Sequence, residues 1–313
     1  MRTAVVLGAG GITGHAFHAG ALRALEQLTG FDARTVDVLV GTSAGSYIAA
    51  TLAAGMSGSD QAAALTGEPL SPAGKAIRAR VPLAATEPDQ AVATRRGPLD
   101  LRVLAAAGRR PLRAGTLAAG LLPAGRHSTA SLRTGIEAVA GSAWPARDLR
   151  VCAIRVRDGR RVVFGTPGAP TVTLGTAIAA SCAIPAYYRP VQVDGEAYVD
   201  GGMHSPTNAD VLAKDALDLV VVLSPMSAGP RHGARKDLAV RLAVRRYLAR
   251  EVHLLRRSGA EVLVLQPTAA DLDVMGFNPM RGDRAAEVVL SAEQSVRERL
   301  EAQPALVRSL ADR

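Results

Sequence analysis

The chain has 313 residues, 48% hydrophobic and 3% aromatic, with a formal net charge of +9. That is enough for one large domain or two small ones, with a core of Val, Leu, Ile and Ala rather than rings. Two cysteines, Cys152 and Cys182, exclude a disulfide framework, and no run of about 18 apolar residues marks a membrane span.

Residues 3–7 (TAVVL) form an apolar run ending at Gly8, too short for a signal peptide. Gly8-Ala9-Gly10-Gly11-Ile12-Thr13-Gly14 follows, and residues 14–29 read as a helix with Phe17, Leu22, Leu25 and Leu28 near helical spacing. A second strand at 36–40 (VDVLV) runs into Gly41-Thr42-Ser43-Ala44-Gly45 and a helix of small residues. Residues 57–135 hold no clear strand. Between Lys75 and Arg133 a surplus of arginine is opposed only by Glu87, Asp89 and Asp100. This stretch reads as short helices and loops, a basic cap that is either a lid over an apolar pocket or a solvated insertion.

The sheet resumes at 149–155 and 161–164, and a helix leads to Ile184-Pro185. Residues 187–199 read as a hairpin turning at Asp194-Gly195 and ending in Asp200-Gly201-Gly202. Residues 217–223 and 261–265 are two more buried strands. Between them, 236–257 reads as a basic helix. Val240, Val244, Tyr247, Leu248, Val252 and Leu255 share one face, with Glu251 interrupting it, and Arg245, Arg246, Arg250 and Arg257 lie opposite. The chain is helical again from 283. Continuous apolar strands alternating with helices predict an α/β fold with a mostly parallel, covered sheet.

The segment at 41–45 is G-x-S-x-G between a strand and a helix, the pattern of a nucleophile elbow. Gly41 and Gly45 permit the sharp turn, and Ser43 is the candidate nucleophile at a helix N-terminus that favours an oxyanion. The glycine run after the first strand presents bare N–H groups to an anion. Counted as G-x-G-x-x-G from Gly8, the third glycine falls on Thr13, so the dinucleotide fingerprint fails by one residue. An oxyanion hole from the Gly10 and Gly11 amides, assisted by Ala44, is the other use.

A serine nucleophile needs a base. None of His15, His18, His127, His204, His232 and His253 has the loop context of a triad base. Asp200 ends a strand, and Gly201-Gly202 let its carboxylate turn into a site. In a dry pocket a carboxylate can take a hydroxyl proton. No metal-ligand spacing is present, and the diffuse basic residues lack aromatic interleaving, so neither a metal nor a nucleic-acid partner is expected.

The glycine run, G-x-S-x-G, Ala180-Ser181-Cys182-Ala183-Ile184-Pro185 and Asp200-Gly201-Gly202, in that order, resemble the patatin-like phospholipases over roughly residues 3–225. The resemblance implies a three-layer α/β/α core and a Ser43–Asp200 dyad with no histidine. It also implies a glycine-loop oxyanion hole on Gly10, Gly11 and Gly14, and hydrolysis of lipid acyl esters through an acyl-serine without a cofactor. The chain departs from the family at Ala9, where the first motif glycine is usual, and at Thr13, where Arg or Lys is usual. After Gly202 it reads Met203-His204-Ser205-Pro206-Thr207-Asn208, and Asn208 or Ser205 is expected to support the aspartate loop.

The expected organisation is a catalytic domain over 1–225, with the cap inserted at about 57–135. A helical and strand extension over 226–313 packs on the same core. The basic balance suggests contact with an anionic membrane surface from a cytoplasmic location. Two other readings stay open: a nucleotide-binding α/β protein using the glycine run, and a catalytically silent membrane-binding protein that keeps the elbow.

Overall fold

The apolar run at the N-terminus forms β1 (Thr3–Leu7), placed inside a sheet that has eight strands among the described residues. The computed structural model describes residues 1–81, 100–109, 111–228, 238–304, 307 and 310. On one side β1 pairs in parallel with β2 (Val38–Thr42), and β2 with β3 (Asp148–Arg155). On the other side β7 (Leu219–Leu223) and β8 (Glu261–Leu265) continue the parallel run. The far edge is antiparallel: β4 (Arg160–Phe164) and β6 (Glu196–Asp200) both pair with β3, and β5 (Val191–Val193) makes a hairpin with β6.

Alternate strand residues point to opposite faces, and each face is covered. Val5, Leu7, Leu39, Val221 and Leu223 join a core with Phe17, Leu22 and Leu25 of α1 (Gly11–Thr29), Ile48 of α2 (Ala44–Ala53) and Ile178 of α8 (Leu174–Ser181). Val289 and Val296 of α11 (Ala285–Glu301) belong to the same core, as does Leu272 of α10 (Ala269–Met275). The intervening residues Ala4, Val6, Val38, Val40, Val220 and Val222 meet Leu248, Val252 and Leu255 of α9 (Leu238–Arg257). The outcome is the expected α/β/α layering around a mostly parallel sheet.

The helix expected from residue 14 begins at Gly11, so the glycine run supplies its first turn. On α9, Val240 is 56% exposed rather than on the packed face. Arg241 is buried in its place and donates to the Pro225 and Ser227 carbonyls. Glu251, which interrupts the apolar face, is buried as well.

Within residues 57–135 lie α3 (Gly58–Thr66), α4 (Pro72–Arg78), α5 (Arg102–Arg109) and α6 (Ala114–Leu121), and α7 (Ala130–Ala140) begins there and runs past its end. Ala62 of α3 and Ile136 of α7 are fully buried in the main core. Glu87, Asp89, Arg95, Arg96 and Arg110 of the expected cap, and His232, lie outside the described residues. Among the described residues no helix is long and apolar enough to cross a membrane.

Candidate active site

β1 and β2 both end at the same edge of the sheet, and each hands over to a helix N-terminus there. Parallel strands place binding loops at their carboxyl ends. Ser43 occupies the cap position of α2 with φ 54° and ψ −126°, a left-handed backbone that side chains rarely adopt. The fold holds it there. A Cβ at Gly45 would strike the Leu7 carbonyl, so α2 can approach β1 only through a glycine. Gly41 sits at the end of β2, and the Ser43 carbonyl accepts from the Ser46 N–H and hydroxyl, closing the turn.

Asp200 ends β6, opposite Ala153 of β3. It is 4% exposed, as is Ser43. Burial pushes the Asp200 carboxyl up to about 6, while the Ser43 hydroxyl and the Gly202 N–H oppose that rise as hydrogen-bond donors. The Gly202 N–H donates to Asp200 Oδ1 at 2.7 Å. Among the described residues, no histidine acts on Asp200. The two residues singled out from the sequence therefore meet, with the carboxylate poised near the range where a base works at neutral pH.

The glycine run is stitched to the sheet: Gly8 N–H donates to the Leu223 carbonyl at 3.0 Å and Ala9 N–H to the Pro206 carbonyl at 2.7 Å. Gly11 has φ +60°, and a Cβ there would strike the Pro279 carbonyl. Gly14 follows within the first turn of α1. Among the described residues, no group takes the Gly10, Gly11 or Ala44 N–H. Gly11 and Ala44 line one cavity together with Ser43, and Gly10 does not line it. The Ser43 N–H is already committed to Ser181 Oγ at 2.9 Å. Thr13 is buried, its N–H donating to Pro279 and its hydroxyl reaching the Gly10 carbonyl at 3.5 Å.

The cavity measures about 380 Å³, within the range of small-ligand sites. It runs beside α2 from Ser43 past Tyr47 to Thr51, and its far walls are apolar, with Leu65, Ile77, Leu132 and Val139. Ser43 stands on one side, and the apolar walls would accept hydrocarbon.

A family model for the patatin-like phospholipases matches residues 5–213, which is more than half of the chain. The chain belongs to the patatin-like phospholipase family. Solved structures that match this patatin-like chain include VipD from Legionella pneumophila, at 15% identity and a TM-score of 0.44, covering 96% of this chain and 67% of VipD. The type III effector protein ExoU matches at 19% identity and a TM-score of 0.37, covering 96% of this chain and 53% of ExoU. ExoU in its complex with SpcU, from Pseudomonas aeruginosa, gives 17% and 0.36, covering 96% of this chain and 51% of that one. This chain thus spans about two-thirds of VipD and about half of ExoU. The comparison with curated proteins returns no match. The family's activity is lipid acyl hydrolysis, and the apolar cavity of this patatin-like chain suits it.

Asn208 supports the aspartate loop as expected, its N–H donating to Ser205 Oγ and its amide to the Gly201 carbonyl. Other residues that position this patatin-like site escape a reading of the sequence. Ser181 accepts the Ser43 N–H and donates to the Cys152 carbonyl at 2.7 Å, so it fastens the elbow to β3. Two residues on, the Ala183 carbonyl accepts the Asp200 N–H at 3.0 Å. A lone hydroxyl within Ala-Ile-Ala-Ala-Ser-Cys-Ala-Ile was the available signal.

Asn208, at φ 51°, donates from Nδ2 to Thr42 Oγ1, the Gly201 carbonyl and the Ser205 carbonyl. Gly201 itself begins the short helical turn after Asp200. Glu251 takes the Thr207 hydroxyl at 2.5 Å and the Ala209 N–H at 3.0 Å. His18 holds the glycine run: its Nε2–H donates to the Gly8 carbonyl at 2.7 Å, and burial keeps the ring neutral by lowering its pKa to about 3. His15 lines the cavity, and burial lowers its pKa to about 4.

Proposed function

We propose that the chain hydrolyses acyl esters of lipids through a Ser43–Asp200 dyad and an acyl-Ser43 intermediate. The observation that carries this reading is the meeting of Ser43 and a buried, desolvated Asp200 at one side of an apolar cavity. Asp200 takes the Ser43 proton as Oγ attacks the ester carbonyl carbon. The carbonyl oxygen becomes an anion, met by the Gly11 and Ala44 N–H groups at the starts of α1 and α2, which line the cavity as Gly10 does not. Collapse breaks the ester bond, and the departing alkoxide takes the proton back from Asp200. Water then attacks the acyl-serine, giving its proton to Asp200. The fatty acid leaves as the Ser43 oxygen recovers that proton. Each step needs only this chain's groups and water.

We read residues 1–225 as the catalytic unit and the remainder as an extension sharing its core. The outward arginines of α9 and the basic residues of 75–133 suit a working position at an anionic membrane surface. The test is a panel of monoacyl and diacyl lipids given to the wild type and to Ser43→Ala. The reading expects fatty acid release by the wild type alone. Equal release by both, or none by the wild type, would contradict it.

A further inference from the structure

The family match ends at residue 213, yet part of the cavity wall beside Ser43 is Met280, from a loop over residues 276–284. That loop joins α10 to α11. Leu272 and Met275 before it, and Val288 and Val289 after it, are buried in the main core, so both of its ends are held. Between them the chain turns tightly. The Met280 N–H donates to Asn278 Oδ1 at 3.0 Å and the Arg281 N–H to the Asn278 carbonyl at 3.2 Å.

The turn is pressed onto the glycine run. The Pro279 carbonyl accepts the Thr13 N–H at 3.1 Å, one of the amides that the first turn of a helix leaves without a partner of its own. A Cβ at Gly11 would lie 2.6 Å from the Pro279 carbonyl oxygen and 3.2 Å from Met280 Sδ. Gly282 packs beside the Ile12 side chain. Gly11, Ile12 and Met280 line the cavity together with Ser43.

This contact fixes what Met280 meets. In the acyl transfer described above, the Gly11 N–H receives the ester oxygen, so the ester carbonyl lies against Gly11. The acyl chain runs from that carbonyl into the apolar cavity, and the Met280 thioether touches the same glycine from the cavity wall. Met280 therefore flanks the first carbons of the acyl chain. A straight chain passes it, whereas a chain branched next to the carbonyl brings its extra methyl groups against the thioether. The wall is tied at both ends and hydrogen-bonded to its neighbour, and packed protein walls yield little to added volume. One methyl group's difference in such a pocket is worth about tenfold or more.

We propose that Met280 is a specificity-determining residue, so that the preferred substrate carries an acyl chain unbranched at the carbon next to its ester carbonyl. This deepens the acyl hydrolase reading and rests on it for the turnover arm of the test, while the binding arm needs no turnover.

In the binding arm, the Ser43→Ala protein is titrated calorimetrically with methyl octanoate and methyl 2,2-dimethyloctanoate. The straight ester is expected to bind at least about tenfold more tightly. Adding Met280→Ala should bring the two esters within about threefold by improving the branched one, a gain that unfolding cannot imitate. Met280→Leu, of similar volume, should keep the preference. Binding of neither ester, equal binding of both, a preference above threefold that survives Met280→Ala, or its loss in Met280→Leu overturns the proposal.

In the turnover arm, the ratio of kcat/KM for nitrophenyl octanoate over nitrophenyl 2,2-dimethyloctanoate is compared between wild type and Met280→Ala. The comparison cancels the intrinsic reactivity of the two esters. A fall of at least threefold supports the proposal, and a smaller change overturns it. If the wild type hydrolyses neither ester, the hydrolase reading fails while the titration still decides the role of Met280.

Discussion

Asn208 and Thr42, 166 positions apart in sequence, are joined by a hydrogen bond from the Asn208 amide to the Thr42 hydroxyl at 3.1 Å. Thr42 immediately precedes Ser43. The same Asn208 nitrogen donates to Gly201, which immediately follows Asp200, at 3.2 Å. One side chain therefore ties the chain before the nucleophile to the chain after the base, and Arg161 holds its Oδ1 at 3.1 Å.

Asn208→Ala is expected to lower kcat at least tenfold with little change in KM, because the two reacting groups lose their common brace while the cavity walls stay. Leaving buried acceptors unmet also costs about 1–3 kcal/mol of stability. Asn208→Asp keeps the size and the tolerance for a left-handed backbone but removes the donors, so it should be equally slow. Steady-state kinetics with denaturant melts measures both. A fully active Asn208→Asp enzyme would show that the brace is not needed.

Asp200 couples activity and stability to pH in opposite directions. Folding raises its pKa from 3.8 to about 6, so the fold favours the protonated form. The cost of ionising it is absent below about pH 4 and complete above about pH 6, where it reaches roughly 3 kcal/mol. Asp200→Asn should therefore raise the melting temperature above pH 6, lose that advantage by pH 4, and cost at least about a hundredfold in rate. Wild-type kcat/KM should climb as pH passes through about 6. A variant no more stable than wild type at pH 7.5, or a flat pH profile, contradicts the assignment.

His18 has the opposite sign. The unfolded ring takes up a proton near 6.5 and the folded ring only near 3. Its contribution to stability is whole above pH 6.5 and is lost as pH falls below that value. His18→Gln, which can still donate to the Gly8 carbonyl, should keep most activity and show a shallower loss of stability between pH 6.5 and 4. His18→Ala should lower kcat, because the glycine run loses its anchor. Melting curves across pH, read beside initial rates, separate the two variants, and wild-type rates from His18→Ala would dismiss the anchor.

Arg246, Arg250 and Arg257 are exposed on the outer side of α9. The protein is expected to sediment with anionic vesicles more than with neutral ones, and added salt should release it. Each basic residue near such a surface contributes about 1 kcal/mol, screened over roughly 8–10 Å. Replacing all three by Gln should shift binding by tenfold or more. Equal binding to both vesicle types would show that the charge has no membrane role.

Much of this was legible in the sequence because it is written in local patterns. The apolar runs gave β1, β2, β7 and β8, and the elbow announced itself as strand, glycine, serine, glycine, helix. Asp200 was found by its place at a strand end before two glycines. Asn208 was expected to support the aspartate loop and does so. Its partner Thr42 was not legible, nor were Ser181 with Ser43 and Glu251 with Thr207, because each joins segments remote in the chain. Glu251 looked like a flaw in an amphipathic helix and is a buried acceptor for the aspartate loop. Val240 was placed on the packed face by angle alone, whereas the buried position belongs to Arg241, whose guanidinium meets two loop carbonyls. Helical projection registers direction and carries no record of which carbonyls wait opposite.

The most direct measurement is labelling by a fluorophosphonate, which reacts with an activated serine, followed by peptide mapping. The account predicts one modified residue, Ser43, with labelling abolished in Ser43→Ala and slowed at least about a hundredfold in Asp200→Asn. Label on any other residue, or labelling of Asp200→Asn at the wild-type rate, would contradict it.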